Sequence, residues 1–310
     1  MRRFWKETDY LDGEVSAGAV VLPAGECAWA ARKGCYMCGY SEMERRSSPS
    51  SIIHTLSQAL RELGEVEYLK IFNSGSFFDE SQIPARTRLR IYRMLSSKGF
   101  RRVQVESRPE FITPEVLEEA VSELDAELEV GIGLESASDY VREVFVNKGF
   151  SLEDFREAVE RCRAAGVLVK AYLLIKPPFM SEGEAVLDAV ESGRVAARLG
   201  VHRLSYNPVC VHRGTPLEGM FFRGEYSPPW LWSVVEVLLR VKKRVRIPVV
   251  CHPSGAGTRR GASNCRRCSG GVARGIRRFS ATQEVEHLRG LECGCRERWK
   301  VELGVEVGAR

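Results

Sequence analysis

Two hydrophobic patterns alternate along this chain, and their alternation limits the fold more than any other feature. Short runs rich in branched apolar residues predict strands, and longer amphipathic runs between them predict helices. Six strands are predicted, near residues 17–22, 66–72, 101–106, 127–134, 167–175 and 201–206. Strands that alternate with helices form a parallel sheet, and right-handed crossovers curl it into a doubly wound sheet or into a complete or partial barrel. In each of these folds, ligands bind at the carboxyl ends of the strands.

Capping residues predict where the helices begin. Serine and threonine side chains accept hydrogen bonds from the first turn of a helix, and proline is tolerated at the first helical position. The spacing of Ser181 and Glu184 is that of a capping box. Helix starts are predicted at Ser50 or Ser51, Pro84, Thr113, Ser151, Ser181 and Ser227.

Three cysteines follow the first predicted strand within one short segment. Cys27, Cys35 and Cys38 lie in residues 25–40, together with glycines and aromatic residues. Because four thiolates normally complete a 4Fe–4S cluster, three thiolates predict a cluster with one iron open to a substrate or cosubstrate. Three ordinary buried cysteines are the alternative interpretation.

Polar or glycine-rich residues follow the other predicted strands. These segments are residues 73–76, 106–110, 131–136, 176–178 and 207–208. Each segment alone is weak evidence, because loops after strands are usually polar. Since parallel strands end at the same edge of a sheet, we expect these segments and the three cysteines to form one site.

Cysteine usage predicts the compartment. The chain has ten cysteines, and its basic first residues are not followed by an apolar signal core. Cysteines in a chain that is not secreted indicate metal ligands rather than disulfides. No stretch reaches the length of a membrane span. We therefore expect a cytoplasmic protein without a membrane partner.

Charge is distributed unevenly along the chain. Residues 237–283 contain twelve Lys or Arg and no Asp or Glu, whereas the remainder contains 34 basic and 41 acidic residues. A cationic segment in an otherwise mildly acidic chain predicts a polyanionic partner, nucleic acid before membrane. The alternative is a solvated basic surface.

Two close cysteine pairs lie in and just after this cationic segment. Cys265 and Cys268 are followed by Cys293 and Cys295, and four thiolates meet the tetrahedral demand of zinc. A second iron–sulfur cluster, or a site that uses Cys251 or His252, remains an alternative. We expect residues 236–310 to form a small metal-stapled module that binds RNA phosphates and exposed bases through its arginines.

Several of these motifs resemble the radical S-adenosylmethionine (SAM) enzymes, over about residues 15–215. The seven-then-two cysteine spacing and Met37 depart from the usual pattern of three then two with an aromatic residue. The wide gap and the NSGSFFD turn resemble the branch of the Elongator catalytic subunit. Within it, GECAWAARKGCYMCGY, FNSGSFFDE, VESRPEFI, GIGLES, KPPF and the C-terminal cysteines resemble the radical-SAM subunits of archaeosine synthase (RaSEA).

The resemblance implies a fold and a reaction. The fold is an α/β partial TIM barrel of the (βα)6 type over residues 1–235, followed by the basic C-terminal module. The reaction is cleavage of a C–N bond in a lysine adduct of 7-cyano-7-deazaguanine at position 15 in the tRNA D-arm, which leaves archaeosine. A lysine-transferring subunit and an electron donor would be partners. A methylthiotransferase-like tRNA enzyme and a non-catalytic iron–sulfur and zinc RNA-binding protein are the alternatives.

The resemblance also implies roles for individual residues. The three N-terminal cysteines would hold three irons, and the fourth iron would bind SAM, whose C5′–S bond breaks on reduction. Ser74 and Ser76 with the Gly75 backbone are candidates for the methionine ammonium, Glu106 or Glu135 for the ribose, and backbone near Met37 or Gly39 for the adenine. Lys176 and Arg108 are candidates for the substrate carboxylate unless they simply pair with a strand-end acid, and Asn207 is a further candidate cofactor residue.

Overall fold

A computed structural model describes residues 3–40 and 48–307. The strands of this part of the chain are β1 Phe4–Tyr10, β2 Glu14–Val21, β3 Tyr68–Phe72, β4 Arg102–Glu106, β5 Glu127–Glu135, β6 Leu168–Ile175, β7 Arg203–Pro208 and β8 Val249–Cys251. Its α-helices are α1 Pro49–Leu63, α2 Ala85–Ser96, α3 Pro114–Glu123, α4 Leu152–Ala164, α5 Glu182–Arg198, α6 Pro216–Arg223, α7 Leu231–Lys242, α8 Ser269–Thr282, α9 Glu286–Arg289 and α10 Cys295–Val307. The described residues also form a 3₁₀-helix at Pro109–Phe111 and a π-helix at Val141–Val146.

One sheet joins the eight strands in chain order, from β1 to β8. Strand β1 is antiparallel to β2, whereas β2 to β5 are parallel to one another and β8 is parallel to β7. Strands β2 to β7 are the six that the sequence predicts. Parallel strands in chain order, separated by helices, have the topology of a partial barrel. The predicted α/β fold class is therefore confirmed.

The first and last strands are absent from the sequence prediction for different reasons. Strand β1 carries Lys6, Glu7 and Asp9, so that its composition is typical of a solvated segment. It is nevertheless paired along its whole length with β2 at the edge of the sheet. Strand β8 has only three residues, too few for a periodic pattern to be visible.

Local capping chemistry starts most helices where it was predicted. The Ser181 hydroxyl accepts from the Glu184 N–H and the Glu184 carboxylate from the Ser181 N–H, which completes the predicted capping box of α5. Helix α1 is capped by Ser48 rather than by Ser50 or Ser51. Helix α7 begins at Leu231 rather than at Ser227, because consecutive prolines hold the residues before it in extended backbone.

The chain divides into two compact units. The first consists of the described parts of Met1–Gly34, Tyr40–Gly133 and Glu153–Lys170, and the second of those of Cys35–Gly39, Leu134–Leu152 and Ala171–Arg310. Helix α7 runs through residues 235 and 236, where the sequence predicts a domain boundary. The division into a barrel domain and a C-terminal module stays a prediction, and its outermost residues, 1–2 and 308–310, lie outside the described part of the chain.

Polar side chains occupy part of the interior of the first unit. The Tyr68 hydroxyl donates to Gln104 Oε1 over 2.7 Å and also contacts the Glu129 carboxylate. Lys170 Nζ donates to the same Gln104 oxygen over 2.9 Å. Buried polar groups cost free energy unless they are bonded. These four side chains satisfy one another, so the sheet tolerates a polar interior below the strand ends.

Candidate functional site

The three predicted cluster cysteines follow β2 in a loop without regular secondary structure. All three thiols are half-buried, and none forms a disulfide. The Cys27 carbonyl accepts the Ala31 N–H over 3.1 Å in the first unit, and the Cys35 carbonyl accepts the Cys38 N–H over 3.2 Å in the second. Cysteines that are partly accessible and outside disulfides can ligate a metal as thiolates.

Neighbouring elements hold the second half of this loop in place. The Tyr36 N–H donates to the Val146 carbonyl over 3.0 Å, and the Tyr36 carbonyl accepts the Leu217 N–H over 3.1 Å. Cys35 and Met37 pack against an apolar cluster of the second unit. The segment between Cys35 and Cys38 is therefore fixed by the π-helix on one side and by α6 on the other.

Glycine is required at residue 39 by a close approach. A Cβ atom at Gly39 would lie 2.4 Å from the Cβ atom of His212. Burial, together with the charge of Arg260, holds the pKa of His212 below its usual value. A neutral imidazole against the glycine is consistent with this tight packing beside Cys38.

The turn after β3 is joined to the start of the cysteine loop by a residue that the sequence analysis missed. The Gln82 side-chain oxygen accepts the Ser76 N–H over 2.7 Å. Its Nε2 donates to the carbonyls of Gly25 and Glu26 over 3.2 and 2.9 Å. A Cβ atom on Gly75 would lie 2.2 Å from the same Gln82 oxygen, which explains the glycine there. No local pattern marks Gln82, because its partners in the cysteine loop, Gly25 and Glu26, are more than fifty residues earlier.

Asn73 is the most informative side chain of this turn. It is fully buried, with 0% exposure, and neither amide atom has a hydrogen-bond partner among the described residues. Leaving such a group unbonded costs about 1–3 kcal/mol. The next residue, Ser74, has the left-handed φ of 56° that is uncommon for a residue with a side chain. An unpartnered buried amide beside a left-handed turn is a feature that fits the binding of a polar cofactor.

Strand β4 ends next to the same turn. The Ser76 hydroxyl accepts the Arg108 N–H over 3.0 Å, and the half-buried Glu106 accepts the Phe77 N–H through its carbonyl over 2.7 Å. The Arg108 guanidinium pairs with Glu110, in line with the alternative that this arginine simply pairs with a nearby acid. The first unit therefore brings together the candidates Gly75, Ser76, Glu106 and Arg108.

Strand β5 ends on a charged residue with left-handed backbone, and β6 is followed directly by another. Glu135 has a φ of 66° and lies 2.6 Å from Lys148 Nζ. Lys176 has a φ of 62° and lies 2.7 Å from Glu182. Such conformations cost of order 1–3 kcal/mol each and cluster at functional sites. Asn207, the remaining candidate, is half-buried, and its Nδ2 donates to the Ser205 carbonyl over 3.4 Å.

Glu182 links Lys176 to the C-terminal helix. Its Oε1 accepts the Ser233 hydroxyl over 2.6 Å and the Trp230 N–H over 2.8 Å. The Ser233 oxygen in turn accepts the Trp299 indole N–H over 2.7 Å. Glu182 and Ser233 are each 1% exposed and Trp299 is 3% exposed, so this chain of bonds is shielded from water. The sequence did not identify Glu182 as the acid that pairs with Lys176.

The four C-terminal cysteines converge as predicted. All four Sγ atoms lie within 4.8 Å of one another, a group that can hold a metal ion. The Cys265–Cys268 and Cys265–Cys293 sulfur distances are both 3.6 Å, and that of Cys268 and Cys295 is 3.5 Å. The Cys268 backbone N–H and neighbouring thiols lower the pKa of Cys265 to about 6. Four thiols at this spacing suit a tetrahedral ion.

The surroundings of this sulfur group support it. The Trp232 indole N–H donates to Cys295 Sγ over 3.3 Å, a typical contact of the shell around a metal ligand. Cys251, a possible additional ligand, is fully buried, and its backbone N–H donates to the Ser280 hydroxyl over 2.8 Å. Within the described residues, neither Cys251 nor His252 belongs to the group.

Arginines of the cationic segment face solvent near these cysteines. Arg266 and Arg267 lie in the turn between the first cysteine pair, and three more arginines project from α8, whose other face is buried. The exposed arginines of these two elements are Arg266, Arg267, Arg274, Arg277 and Arg278. Separately, the described residues include no helix with the length and apolar character needed to span a bilayer.

Comparisons with known proteins agree with this geometry. The model of the Radical SAM superfamily matches residues 27–189. An archaeosine synthase subunit beta from Methanosarcina acetivorans is 36% identical, with 97% of this chain and 89% of that protein aligned. The same subunit from Thermococcus kodakarensis is 34% identical, and the alignment covers 97% of each chain.

A solved structure supports the fold. The Elp3 protein of Methanocaldococcus infernus superimposes with a TM-score of 0.53 at 17% identity, over 70% of this chain and 57% of that one. At that identity the likeness concerns the fold alone. The alignments with the two archaeosine synthase subunits each cover 97% of this chain. The chain therefore belongs to the Radical SAM superfamily, in the family of the archaeosine synthase beta subunits.

Proposed function

We propose that this protein is the radical-SAM lyase subunit of an archaeosine synthase and acts on tRNA. The observation that carries the proposal is the 36% and 34% identity to two archaeosine synthase beta subunits over 97% of the chain. The reaction is cleavage of the C–N bond between the lysine side chain and the modified 7-deazaguanine in the D-arm, at position 15. The lysine fragment leaves and archaeosine remains in the RNA.

The proposed cofactors are a 4Fe–4S cluster and SAM. Cys27, Cys35 and Cys38 would hold the cluster, and their half-buried positions outside any disulfide support this assignment. Together the cluster and SAM supply one-electron chemistry that can attack an unactivated C–H bond. Asn73 supports SAM binding as well, since a polar ligand would satisfy its buried amide.

The other candidate residues have proposed roles at the strand ends. Ser74, Gly75 and Ser76 would contact the methionine end of SAM, and Met37 and Gly39 would contact its adenine through the backbone. Glu106 or Glu135 would bind the ribose hydroxyls, and Asn207 would complete the cofactor contacts. These assignments follow from their positions in the motifs and from the order of the strands in the sheet.

Lys176 is proposed to orient the carboxylate of the lysine adduct. An ammonium group has three donors. Within the described residues, Glu182 lies 2.7 Å and the Ser227 hydroxyl 3.2 Å from Lys176 Nζ, which leaves one donor for the substrate. Arg108 is the second candidate, although Glu110 already pairs with its guanidinium.

RNA binding is assigned to the C-terminal region. We propose that Cys265, Cys268, Cys293 and Cys295 hold a structural zinc ion, which would fix the surrounding arginines against the tRNA phosphates. The beta-subunit designation of the relatives supports a partner subunit, which would attach lysine to the tRNA first. An electron donor for the cluster is also required.

Nucleoside mass spectrometry tests the reaction directly. Anaerobically reconstituted protein should convert lysine-adducted tRNA to archaeosine and produce 5′-deoxyadenosine from SAM. A Cys35→Ala variant should lose both products, whereas Cys210→Ala, which removes a half-buried thiol outside both cysteine groups, should retain them. Product formation by Cys35→Ala would contradict the cluster assignment. RNA binding without SAM cleavage by the wild type would instead favour a non-catalytic protein.

A further inference from the structure

A cavity of the second unit is lined in part by aromatic side chains. Its volume is about 490 Å³, within the range of small-molecule sites, and Tyr36, Phe145 and Phe179 line it. Tyr140 is 63% exposed, Phe179 54% and Phe222 64%. Soluble proteins rarely leave several large apolar side chains exposed together unless the surface binds something.

Three of these rings form a continuous series. The centroids of Tyr140 and Phe145 are 5.3 Å apart at an interplanar angle of 67°, and those of Phe145 and Phe179 are 5.5 Å apart at 53°. Phe179 also has a left-handed φ of 66°. Left-handed backbone is a genuine outlier for a bulky residue. A strained position that presents an aromatic ring to solvent indicates a functional constraint.

The backbone under the rings is held firmly. Phe145 belongs to the π-helix, an element that is rare and frequent at functional sites. Arg142 in that helix is fully buried and donates to the carbonyls of Ser136 and Phe150 over 2.6 and 2.9 Å. The aromatic series is therefore presented on backbone that the hydrogen bonds of a buried arginine hold in place.

Arginines of the acid-free segment lie over the aromatic residues of α6, which also lines the cavity. The Arg259 guanidinium lies 5.4 Å from the centre of the Phe221 ring, and that of Arg260 lies 5.4 Å from the Phe222 ring. Arg260 also pairs with Glu218 over 2.5 Å. No carboxylate pairs with Arg259 in the part of the chain that the structure describes. Positive charge is thus placed directly beside exposed rings.

We propose that this surface binds unpaired nucleotides of the RNA substrate. The surface, here called the aromatic–arginine surface, has two parts: the ring series of Tyr140, Phe145 and Phe179 beside the cavity, and Phe222 of α6 with Arg259 and Arg260. Exposed bases would stack on the rings, and the arginines would contact the flanking phosphates. Aromatic and arginine side chains in combination are the usual means of holding single-stranded RNA.

Charge favours RNA over a protein partner as the occupant. Arg259 and Arg260 belong to residues 237–283, which contain twelve basic residues and no acidic residue. Such a segment attracts a polyanion at long range. The choice of RNA as the ligand rests on the proposed function. The new element is the location of the binding site for unpaired bases.

Conservative substitutions separate aromatic stacking from apolar contact. Phe179→Leu and Phe222→Leu keep apolar side chains but remove the ring faces, whereas Phe179→Tyr keeps the ring. Loss of one stacked base should weaken RNA binding about 5- to 150-fold. Arg259→Gln should lower affinity and reduce the slope of log K against log salt by about one. Leu187→Ala is the control, because Leu187 is an exposed apolar residue of α5.

The assay is fluorescence anisotropy with an unmodified tRNA transcript, and quenching of 2-aminopurine in a short single-stranded RNA. Wild type, Phe179→Tyr and Leu187→Ala should bind and quench equally, and the two leucine variants should lose both signals. Wild-type affinity in the leucine variants would overturn the inference. So would a change of oligomeric state in them without loss of quenching, since the surface would then bind protein.

Failure of the proposed reaction can be recognised separately. SAM cleavage without RNA should be the same in every variant of the aromatic–arginine surface. If wild-type protein quenches the 2-aminopurine probe but leaves the lysine adduct intact, the lyase assignment fails and the surface stands. If it converts the adduct while neither leucine variant loses affinity, the lyase assignment stands and the surface fails.

Discussion

Replacing Asn73 with leucine should separate stability from cofactor binding. Asparagine and leucine have the same branching of side-chain heavy atoms, so the change replaces two polar atoms with two methyl groups. Both amide atoms of Asn73 are buried, and they have no hydrogen-bond partner within residues 3–40 and 48–307. The substitution therefore removes polar groups without breaking a hydrogen bond to these residues.

The expected change in stability follows from the cost of such a group. A buried polar group without a partner costs about 1–3 kcal/mol. The Asn73→Leu variant should therefore be at least as stable as the wild type, by up to about 3 kcal/mol, when no cofactor is bound. Its affinity for SAM should fall, because a ligand that bonds to the amide loses those bonds. Each lost hydrogen bond weakens binding by about 0.5–1.5 kcal/mol.

Urea unfolding of the cofactor-free protein and SAM binding to the reconstituted protein are the two measurements. Asn264→Leu is the control, since Asn264 Oδ1 accepts the Trp232 N–H over 3.2 Å, whereas its Nδ2 has no partner among the described residues. That variant should be less stable than Asn73→Leu by about 1–3 kcal/mol of unfolding free energy, because it also orphans a backbone donor. If Asn73→Leu were destabilised as much as Asn264→Leu, or bound SAM normally, the inference from its unsatisfied amide would be refuted.

Three further perturbations test the second unit. Glu182→Gln leaves Lys176 as an uncompensated buried charge and should cost about 3–5 kcal/mol of unfolding free energy in urea. Glu191→Gln on the same helix is the control, since it breaks an exposed pair and should cost at most about 1 kcal/mol. Equal losses in the two variants would contradict the expected cost of the buried charge. Burial raises the pKa of Asp188 from 3.8 to about 6, so its contribution to stability is present below pH 3.8 and lost as pH rises through 6. Asp188→Asn should therefore flatten the pH dependence of unfolding in this window by about 3 kcal/mol, and an unchanged profile would count against it. If the four C-terminal cysteines hold the proposed structural metal, chelation should lower the melting temperature and shift the fluorescence of Trp232, whose indole N–H donates to Cys295 Sγ; unchanged melting would argue against that metal.

The sequence by itself determined the elements and the chemistry that depend on neighbours in the chain. Apolar periodicity is a local property, so the strands β2 to β7 were identified from it. Capping is local too, and the Ser181–Glu184 box formed as predicted. Cysteine spacing likewise placed Cys265 beside Cys268, and Cys293 beside Cys295, because residues two or three positions apart must lie close together.

Only the tertiary structure decided which distant residues complete the sites. Gln82 bonds to the start of the cysteine loop more than fifty residues away, and Glu182 bonds to Ser233 across two helices. The aromatic–arginine surface combines residues from four separate segments. Whether Asn73 has a partner also depends on everything packed around it. The physical reason is that burial and hydrogen-bond satisfaction are properties of a packed environment, and long-range packing leaves no periodic trace in the sequence.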